Sequence, residues 1–225
     1  MARLLPLLFL AGPGLPIGAF AWSQGMAGAI AQGLITGGGE VGEWLAGVLE
    51  YGYGRFELPL FVRCFRAARR EDGPGLAAWS RRLLAGRETA ELWEEERRLG
   101  ASLTRLLADQ GLLPGWSRGL ELGHAAAFAL AAAVLTRGEG EEGALMDSLR
   151  AFAWNWLENQ VAAAARALPL GQTEGVRILL ELMPKLEETA AGALDVPEDR
   201  IGSSLPGLSL VSMAHEDQPS RLFRS

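Results

Sequence analysis

Apolar residues recur at the three- and four-residue spacing of helices along most of the chain, and no stretch alternates apolar with polar residues as a strand would. Glycine- and proline-rich stretches separate most of these elements. Helices are predicted over residues 4–10, 24–31, 40–51, 58–70, 76–84, 88–110, 119–136, 151–168 and 172–191, with a last short turn at 208–213. The fold class is therefore predicted as all-α, a single-domain helical bundle covering residues 1–225.

One stretch, residues 151–168, is apolar around most of a helical circumference. Its polar residues are Asn155, Glu158, Asn159, Gln160 and Arg166. All of these except Gln160 fall on one narrow stripe, and a helix of this type is usually buried inside a larger protein. Proline at 169 ends it, because the ring clashes with the preceding turn. The stretch is predicted to be the buried central helix, with a stripe that lines a channel, contacts a partner or forms a satisfied internal network.

Residues 12–25 are too rich in glycine and proline for regular structure, and Ser23 is suited to cap the helix that follows. The glycines do not form a phosphate loop, since no Gly-Lys-Ser/Thr follows them and their spacing differs from that of dinucleotide-binding motifs. The stretch is interpreted as a buried elbow between helices.

The helix predicted over residues 88–110 carries an apolar stripe that includes Leu92 and Leu99. Glu88 and Glu95 lie on that same stripe, four residues before each of these leucines, so they are predicted to face inward or toward the rim. The remaining charges of the first half are interpreted as a solvated face with pairing between successive turns. These residues are Glu94, Glu96, Arg97 and Arg98.

The last eleven residues show no periodicity, carry two arginines and present Leu222 and Phe223 close to the end of the chain. A free tail is normally disordered. Apolar residues flanked by arginines also suit a segment that becomes ordered on a partner. Residues 214–225 are therefore predicted to be a flexible C-terminal tail with a partner-binding role.

Composition and charge narrow the function classes. The 225 residues are 49% hydrophobic and 21% charged, which are values typical of a globular protein. A net charge of −6 argues against nucleic-acid binding. A single cysteine, Cys64, excludes an intrachain disulfide and fits a reducing, cytoplasmic setting. Residues 1–12 resemble a miniature signal peptide, but Pro6 interrupts the apolar run, and residues 122–136 are too short to cross a membrane.

No catalytic constellation is evident in the sequence. Glu121 and His124 form one Glu-x-x-His element, whereas a di-iron bundle needs two such elements and two further glutamates. A zinc site would lack ligands, because the sequence has one cysteine and two histidines, and Cys64 is interpreted as a small core residue. A metal-binding bundle or a small-molecule-binding bundle, with a pocket near Trp154 and Trp156, remains as an alternative to a scaffold.

Four sequence blocks, in order along nearly the whole chain, resemble the urease accessory protein UreF family. They are residues 15–25 (LPIGAFAWSQG), 87–92 (RETAEL, followed by two glutamates), 156–160 with 169–173 (PLGQT), and 212–216 (SMAHE) with 220–225 (SRLFRS). Three positions depart from the family pattern. Pro219 stands where tyrosine is common, Asp217 replaces a usual threonine, and Arg166 occupies a position often held by lysine.

The resemblance implies an all-helical protein that is not an enzyme and has no cofactor of its own. Such proteins bind the accessory protein UreD (UreH in some organisms) and recruit the nickel-carrying GTPase UreG. The assembly docks on urease apoprotein and supports nickel delivery, so nickel is handled by the complex. Some members form homodimers, and no nucleic acid or membrane partner is implied.

Three sets of site residues follow from the tail, the inward glutamates and the resemblance. The partner-binding set, predicted to fold against UreD, is His215, Glu216, Gln218, Ser220, Arg221, Leu222, Phe223, Arg224 and Ser225. The polar passage or GTPase interface is Glu88, Glu95, Glu158, Arg166 and Gln172. The structural motif is Pro16, Gly18, Ser23, Gln24 and Gly25. Removing residues 220–225 is expected to abolish complex formation without lowering the melting temperature.

Overall fold

A computed structural model describes residues 4–225, which form ten α-helices around one hydrophobic core. The helices are α1 Leu4–Ala11, α2 Met26–Ala31, α3 Gly38–Gly47, α4 Glu57–Arg69, α5 Gly73–Ala85, α6 Ala90–Asp109, α7 His124–Leu135, α8 Glu141–Ala167, α9 Gln172–Ala193 and α10 Pro206–Glu216. No β-strand occurs within residues 4–225, and the predicted all-α, single-domain fold is confirmed. The signal-like stretch at residues 1–12 lies partly outside the described residues.

The central helix of the bundle is α7. Every residue from 125 to 133 is buried, and α7 packs against α4 on one side and α6 on the other. The stretch predicted as central belongs instead to α8, whose outer side is partly open to water at Trp154, Glu158 and Ala162. The two helices are similarly rich in alanine, but α7 has no charged residue between His124 and its end, and that difference decides which one lies at the centre.

Helix α7 starts later than predicted, at His124 instead of residue 119. Gly119 has a left-handed backbone (φ 82°), and residues 120–123 run without regular structure against α6. A side chain at Gly100 of α6 would collide with the main-chain oxygen of Leu122, so glycine permits this close approach. Glu121 is consequently exposed and lies outside the helix that carries His124. The Glu-x-x-His pattern is not a helical ligand pair.

Between α3 and α4 the chain forms a π-helical segment, Val48–Tyr53, followed by a short turn. The starts of α5 and α6 have side-chain caps, whereas that of α4 has none. Asp72 accepts a hydrogen bond from the backbone of Gly75 at 2.9 Å, and Thr89 caps α6 by accepting from the backbone of Leu92 at 3.3 Å. The Thr89 cap fixes the start of α6, which carries the glutamates and lies beside α10.

Helix α10 is longer than the short turn predicted, and it packs across α2. Gly28 of α2 makes the crossing possible, because any side chain there would collide with the main-chain oxygen of Val211. The chain then folds back, so residues 217–225 (the C-terminal segment) lie against the body of the protein instead of forming a free tail. Within the described residues, no helix has both the length and the apolar character to cross a membrane.

Candidate partner-binding site

The side chains at the end of the C-terminal segment alternate between the protein and water. Phe223 and Ser225 point inward and are 5% and 0% exposed, whereas Leu222, directly before Phe223, is 66% exposed. The backbone of Arg224 donates to the main-chain oxygen of Ala21 at 2.8 Å. Phe223 is thus committed to the protein's own core, and Leu222 is presented on the surface.

The glycine-rich elbow receives Ser225. Gln24 and Gly25 both have left-handed backbones, with φ of 52° and 81°, and this tight turn directs the backbone of residues 23 and 24 toward the end of the chain. The backbone of Ser23 donates to the main-chain oxygen of Ser225 at 3.1 Å, and its hydroxyl donates to the same oxygen. The backbone of Gln24 donates to the Ser225 hydroxyl at 3.1 Å. Ser23 also accepts from the backbone of Ala27 in the first turn of α2 at 3.1 Å, but the N-cap of that helix is Gly25, so the prediction that Ser23 is the N-cap is wrong.

Gln24 joins three of the resembling blocks. Its side-chain oxygen accepts from the indole nitrogen of Trp156 at 2.8 Å, and its side-chain nitrogen donates to Glu95 at 2.8 Å. The Ser225 hydroxyl donates to the other Glu95 oxygen at 3.5 Å. Residues far apart in the sequence therefore meet at one place, which we call the anchoring site (Ser23, Gln24, Glu95, Trp156 and Ser225).

Glu95 is buried, as its position on the apolar stripe predicts. Burial raises the pKa of its carboxyl to about 7, while the hydrogen bond from Gln24 and the charge of Arg87 oppose this rise. The carboxyl group at the anchoring site therefore takes up a proton more readily than an exposed glutamate does.

A second set of contacts fixes α10 and the start of the C-terminal segment onto α6. Glu91 is buried; it lies 2.9 Å from Nδ1 of His215 and accepts from Arg221 at 2.8 Å. The hydroxyls of Thr89 and Ser212 form a buried hydrogen bond of 2.8 Å. Glu91 thus contacts both His215 and Arg221, two residues of the predicted partner-binding set.

Aromatic and arginine side chains surround the anchoring site on its outer side. Arg166 lies over the ring of Phe223, with its guanidinium carbon 4.8 Å from the ring centre, and it donates to the main-chain oxygen of Phe20 at 2.6 Å. The Phe20 side chain is itself 66% exposed. Arg224 lies over Trp22 at 6.0 Å. Two exposed apolar side chains, Phe20 and Leu222, therefore flank a patch of arginines.

Beneath this region, Arg87 forms a buried ion-pair triad with Glu57 at 2.5 Å and Glu96 at 2.6 Å. Glu96 also accepts from the backbone of Ala125 at 3.0 Å, so the prediction that it lies on the solvated face is wrong. Burial alone would raise the pKa of Glu96, but Arg87 outweighs it and the pKa is lowered. Burial likewise opposes the charge of Arg87, and the two glutamates raise its pKa above the ordinary value. The triad links α4, α6 and α7.

The five residues predicted as a polar passage do not form one. Glu95 and Arg166 both contact the C-terminal segment, as described above. Glu88 is exposed, not inward, and accepts from the hydroxyls of Ser204 and Ser209; these bonds lower its pKa. Glu158 is half-buried on α8, and Gln172 is exposed at the start of α9. Helical periodicity placed Glu88 on the stripe, but α6 begins only at Ala90.

The residues named for the alternative functions, a small-molecule pocket or a metal site, do not come together in one site. Trp154 borders a groove beside α1, whereas Trp156 is buried against Tyr53 with ring centres 4.4 Å apart, so the two tryptophans do not share one pocket. Cys64 is fully buried, which confirms its interpretation as a core residue, and burial raises the pKa of its thiol. Among residues 4–225, no three or more His, Cys, Asp or Glu side chains are grouped as a metal site would require.

Sequence reasoning missed several residues of this region. Glu91 and Arg87 were treated only as parts of a resembling block, and Phe20 and Trp22 as parts of the elbow. Glu91 lies one helical turn before Glu95, on the same side of α6. Extending the inward-facing stripe by one turn would therefore have predicted that Glu91 faces inward as well. No pattern pointed to Arg87, because its partners come from helices distant in sequence.

The comparisons with known proteins agree over nearly the whole chain. The UreF family model matches residues 35–183. The chain is 48% identical over 220 residues to the urease accessory protein UreF of Chromohalobacter salexigens, covering 97% of this chain and 93% of that protein. It is 45% identical over 223 residues to the protein of the same name from Marinobacter nauticus, covering 99% and 94%. The match to that of Nitrosococcus oceani, at 41% identity over 226 residues, covers 100% of both.

Proposed function

The chain belongs to the UreF family of urease accessory proteins, and from this premise we propose that it is a scaffold for urease maturation. In this proposal it bridges UreD (UreH), the GTPase UreG and urease apoprotein, and it supports GTP-dependent nickel insertion without catalysing a reaction itself. The proposed place of action is the cytoplasm, where it would meet the GTPase and the apoprotein.

The observation that carries the proposal is the meeting of the elbow, α6, α8 and the C-terminal segment at the anchoring site. A scaffold needs a rigid, shaped surface more than it needs reactive groups. The surface above the anchoring site offers exposed Leu222 and Phe20 among Arg166, Arg221 and Arg224. Exposed aromatic and aliphatic side chains beside arginines are the composition typical of binding hot spots.

We assign the UreD contact to Leu222 and the surrounding outward residues of the C-terminal segment. Phe223 was proposed as a second anchor on the partner, but its burial in this chain supports a different role, that of holding Leu222 in place. Arg166 packs directly on Phe223, so the GTPase contact proposed for Arg166 adjoins the UreD contact. Glu88, Glu158 and Gln172 are less suited to that contact, since they lie apart from the anchoring site.

We also propose that the chain forms a homodimer through α1. Leu4, Leu5, Leu8 and Phe9 are all exposed on this helix. Leu4 and Leu8 also line a groove of about 390 Å³ whose other wall includes Arg150 and Trp154 of α8. A contiguous apolar patch of this kind is unusual on a monomer and supports a protein–protein contact.

Replacing Leu222 with aspartate is expected to weaken binding of purified UreD at least tenfold, since loss of a hot-spot side chain costs about 2 kcal/mol or more. The affinity is measured by titrating UreD onto the immobilised chain. Because Leu222 is 66% exposed, the melting temperature of this variant should equal that of the wild type.

Val176→Asp provides the matched control. Val176 is 54% exposed on α9, and the same substitution there should leave UreD affinity within about twofold of wild type. Unchanged UreD binding by Leu222→Asp, with both variants folded, would disprove the assignment of this surface.

A further inference from the structure

The hydroxyl of Ser225, the last residue of the C-terminal segment, lies 3.5 Å from the carboxyl group of Glu95, which is buried. Both groups that hydrogen-bond this carboxyl, the Gln24 amide and the Ser225 hydroxyl, are uncharged. We propose that residues 223–225 form a proton-gated latch, in which docking of the latch buries the Glu95 carboxyl and release returns it to water. The latch is a property of the isolated chain and does not depend on which partner the surface binds.

The attachments of the latch are of a kind that can open locally. Phe223 is buried beneath Arg166, and Arg224 lies over Trp22. The remaining attachments to the elbow are hydrogen bonds: Arg224 to Ala21 at 2.8 Å, the backbones of Ser23 and Gln24 to Ser225 at 3.1 Å each, and the Ser23 hydroxyl to Ser225. Water replaces such bonds on release, so each contributes only about 1 kcal/mol net in proteins generally. Opening does not require α10 to leave, because α10 is held separately by Glu91 and Thr89.

The charged and titratable groups facing Glu95 make its ionised form costly in the docked state. Arg87, from the loop before α6, attracts a negative charge but is already paired with Glu57 and Glu96. Glu96, on α6 itself, repels it. Tyr53, from the π-helical segment, is a buried neighbour whose pKa burial raises well above the ordinary value, so it stays neutral. The hydrogen bonds from Gln24 and Ser225 favour the ionised form as well, but burial is the largest influence, and it favours a neutral Glu95 in the docked state.

The sign of the pH dependence follows from this geometry. With the latch docked, burial raises the pKa of Glu95 to about 7, against an ordinary value of 4.5. With the latch open, the carboxyl regains water and its pKa falls toward that ordinary value. The docked state thus binds the proton more tightly, so docking is strongest at low pH and weakens as pH rises through about 7. Each unit of difference between the two pKa values weakens docking by about a factor of ten.

Hydrogen exchange of the full chain tests the latch. The backbone amides of Gln24 and Arg224 report on docking, and the buried amide of Leu60, bonded to Phe56 at the start of α4, is the reference away from the latch. After correction for intrinsic rates, protection at the two latch amides is expected to fall at least tenfold between pH 5.5 and pH 8, with no matching fall at Leu60. Glu95→Gln, which keeps a neutral side chain at all pH values, should lose this pH dependence.

Glu94→Gln is the matched control, since Glu94 lies on the same helix but pairs with Arg97 and Arg98 at the surface, and it should retain the wild-type pH dependence. A wild-type profile independent of pH, or one unchanged in Glu95→Gln, would overturn the proposal. If Glu95→Gln does not fold, carbon NMR of the Glu95 carboxyl decides the matter instead. Deleting residues 223–225 should lower its pKa from about 7 toward the ordinary value, and an unchanged pKa would overturn the latch.

Discussion

We expect Arg87→Met to lower the free energy of unfolding by about 3–5 kcal/mol, the usual cost of removing one partner from a buried ion pair. Arg87 is enclosed between Glu57 and Glu96, at 2.5 and 2.6 Å, and methionine keeps most of its volume but none of its charge. Two buried carboxylates would then lack their cation. Urea unfolding of the purified variant, followed by circular dichroism, measures the loss.

The pH dependence of that loss checks its cause. Arg87 lowers the pKa of Glu96 in the folded protein, and that stabilisation is present above the ordinary carboxyl range and is lost as pH falls. In Arg87→Met the same carboxyl is expected to have a raised pKa and to accept a proton readily. The difference in free energy of unfolding between the variant and the wild type should therefore be smaller at pH 5 than at pH 8.

Arg97→Met is the matched control for the triad. Arg97 is on the exposed face of α6 and pairs with Glu94 at 2.8 Å. Exposed pairs contribute about 0–1 kcal/mol, so its loss should stay within that range. Equal losses in free energy of unfolding for Arg87→Met and Arg97→Met would show that the buried triad contributes no more to stability than an exposed ion pair.

Deleting residues 220–225 is expected to have two effects, loss of UreD binding and loss of stability. The sequence alone suggested an unchanged melting temperature, because the tail was predicted to be flexible. Phe223 and Ser225 are buried, and removing a buried phenylalanine costs about 1.5–3 kcal/mol in transfer free energy alone. We therefore expect a lower melting temperature by calorimetry, together with loss of UreD in a pull-down.

Two point variants separate these effects of the deletion. Leu222→Asp should lose UreD binding and keep the wild-type melting temperature. Phe223→Ala should lower the melting temperature, because Phe223 is buried and contacts Arg166. A deleted chain that melts like the wild type and still captures UreD would contradict both the packing and the assigned role.

The helices were predictable because burial against a core imposes the three- and four-residue spacing that the sequence displays. Their ranking by depth was predicted wrongly. Helix α8 carries polar and charged residues on an outer side that is partly open to water, whereas α7 has no charged residue between His124 and its end. The start of α7 was also misjudged, since the close approach at Gly100 depends on a partner 22 residues away.

The anchoring site was predictable in part. The stripe of α6 placed Glu95 inward correctly, whereas Ser23, predicted as a helix cap, lies two residues before the N-cap Gly25 and bonds the end of the chain instead. The meeting of Gln24, Trp156 and Ser225 was not predictable from periodicity, because it depends on how three separate parts of the chain pack together. For the same reason the C-terminal segment was predicted as free, although alternate residues of it face the core.

The central claim, that this chain is the scaffold of a urease maturation complex, is tested most directly by mass measurement in solution. The purified chain is examined by light scattering alone and then mixed with UreD and UreG in the presence of GTP and magnesium. We predict twice the 24.1 kDa chain mass for the chain alone, and one larger particle containing all three proteins in the mixture. Separate masses for each protein at every mixing ratio would contradict the scaffold role.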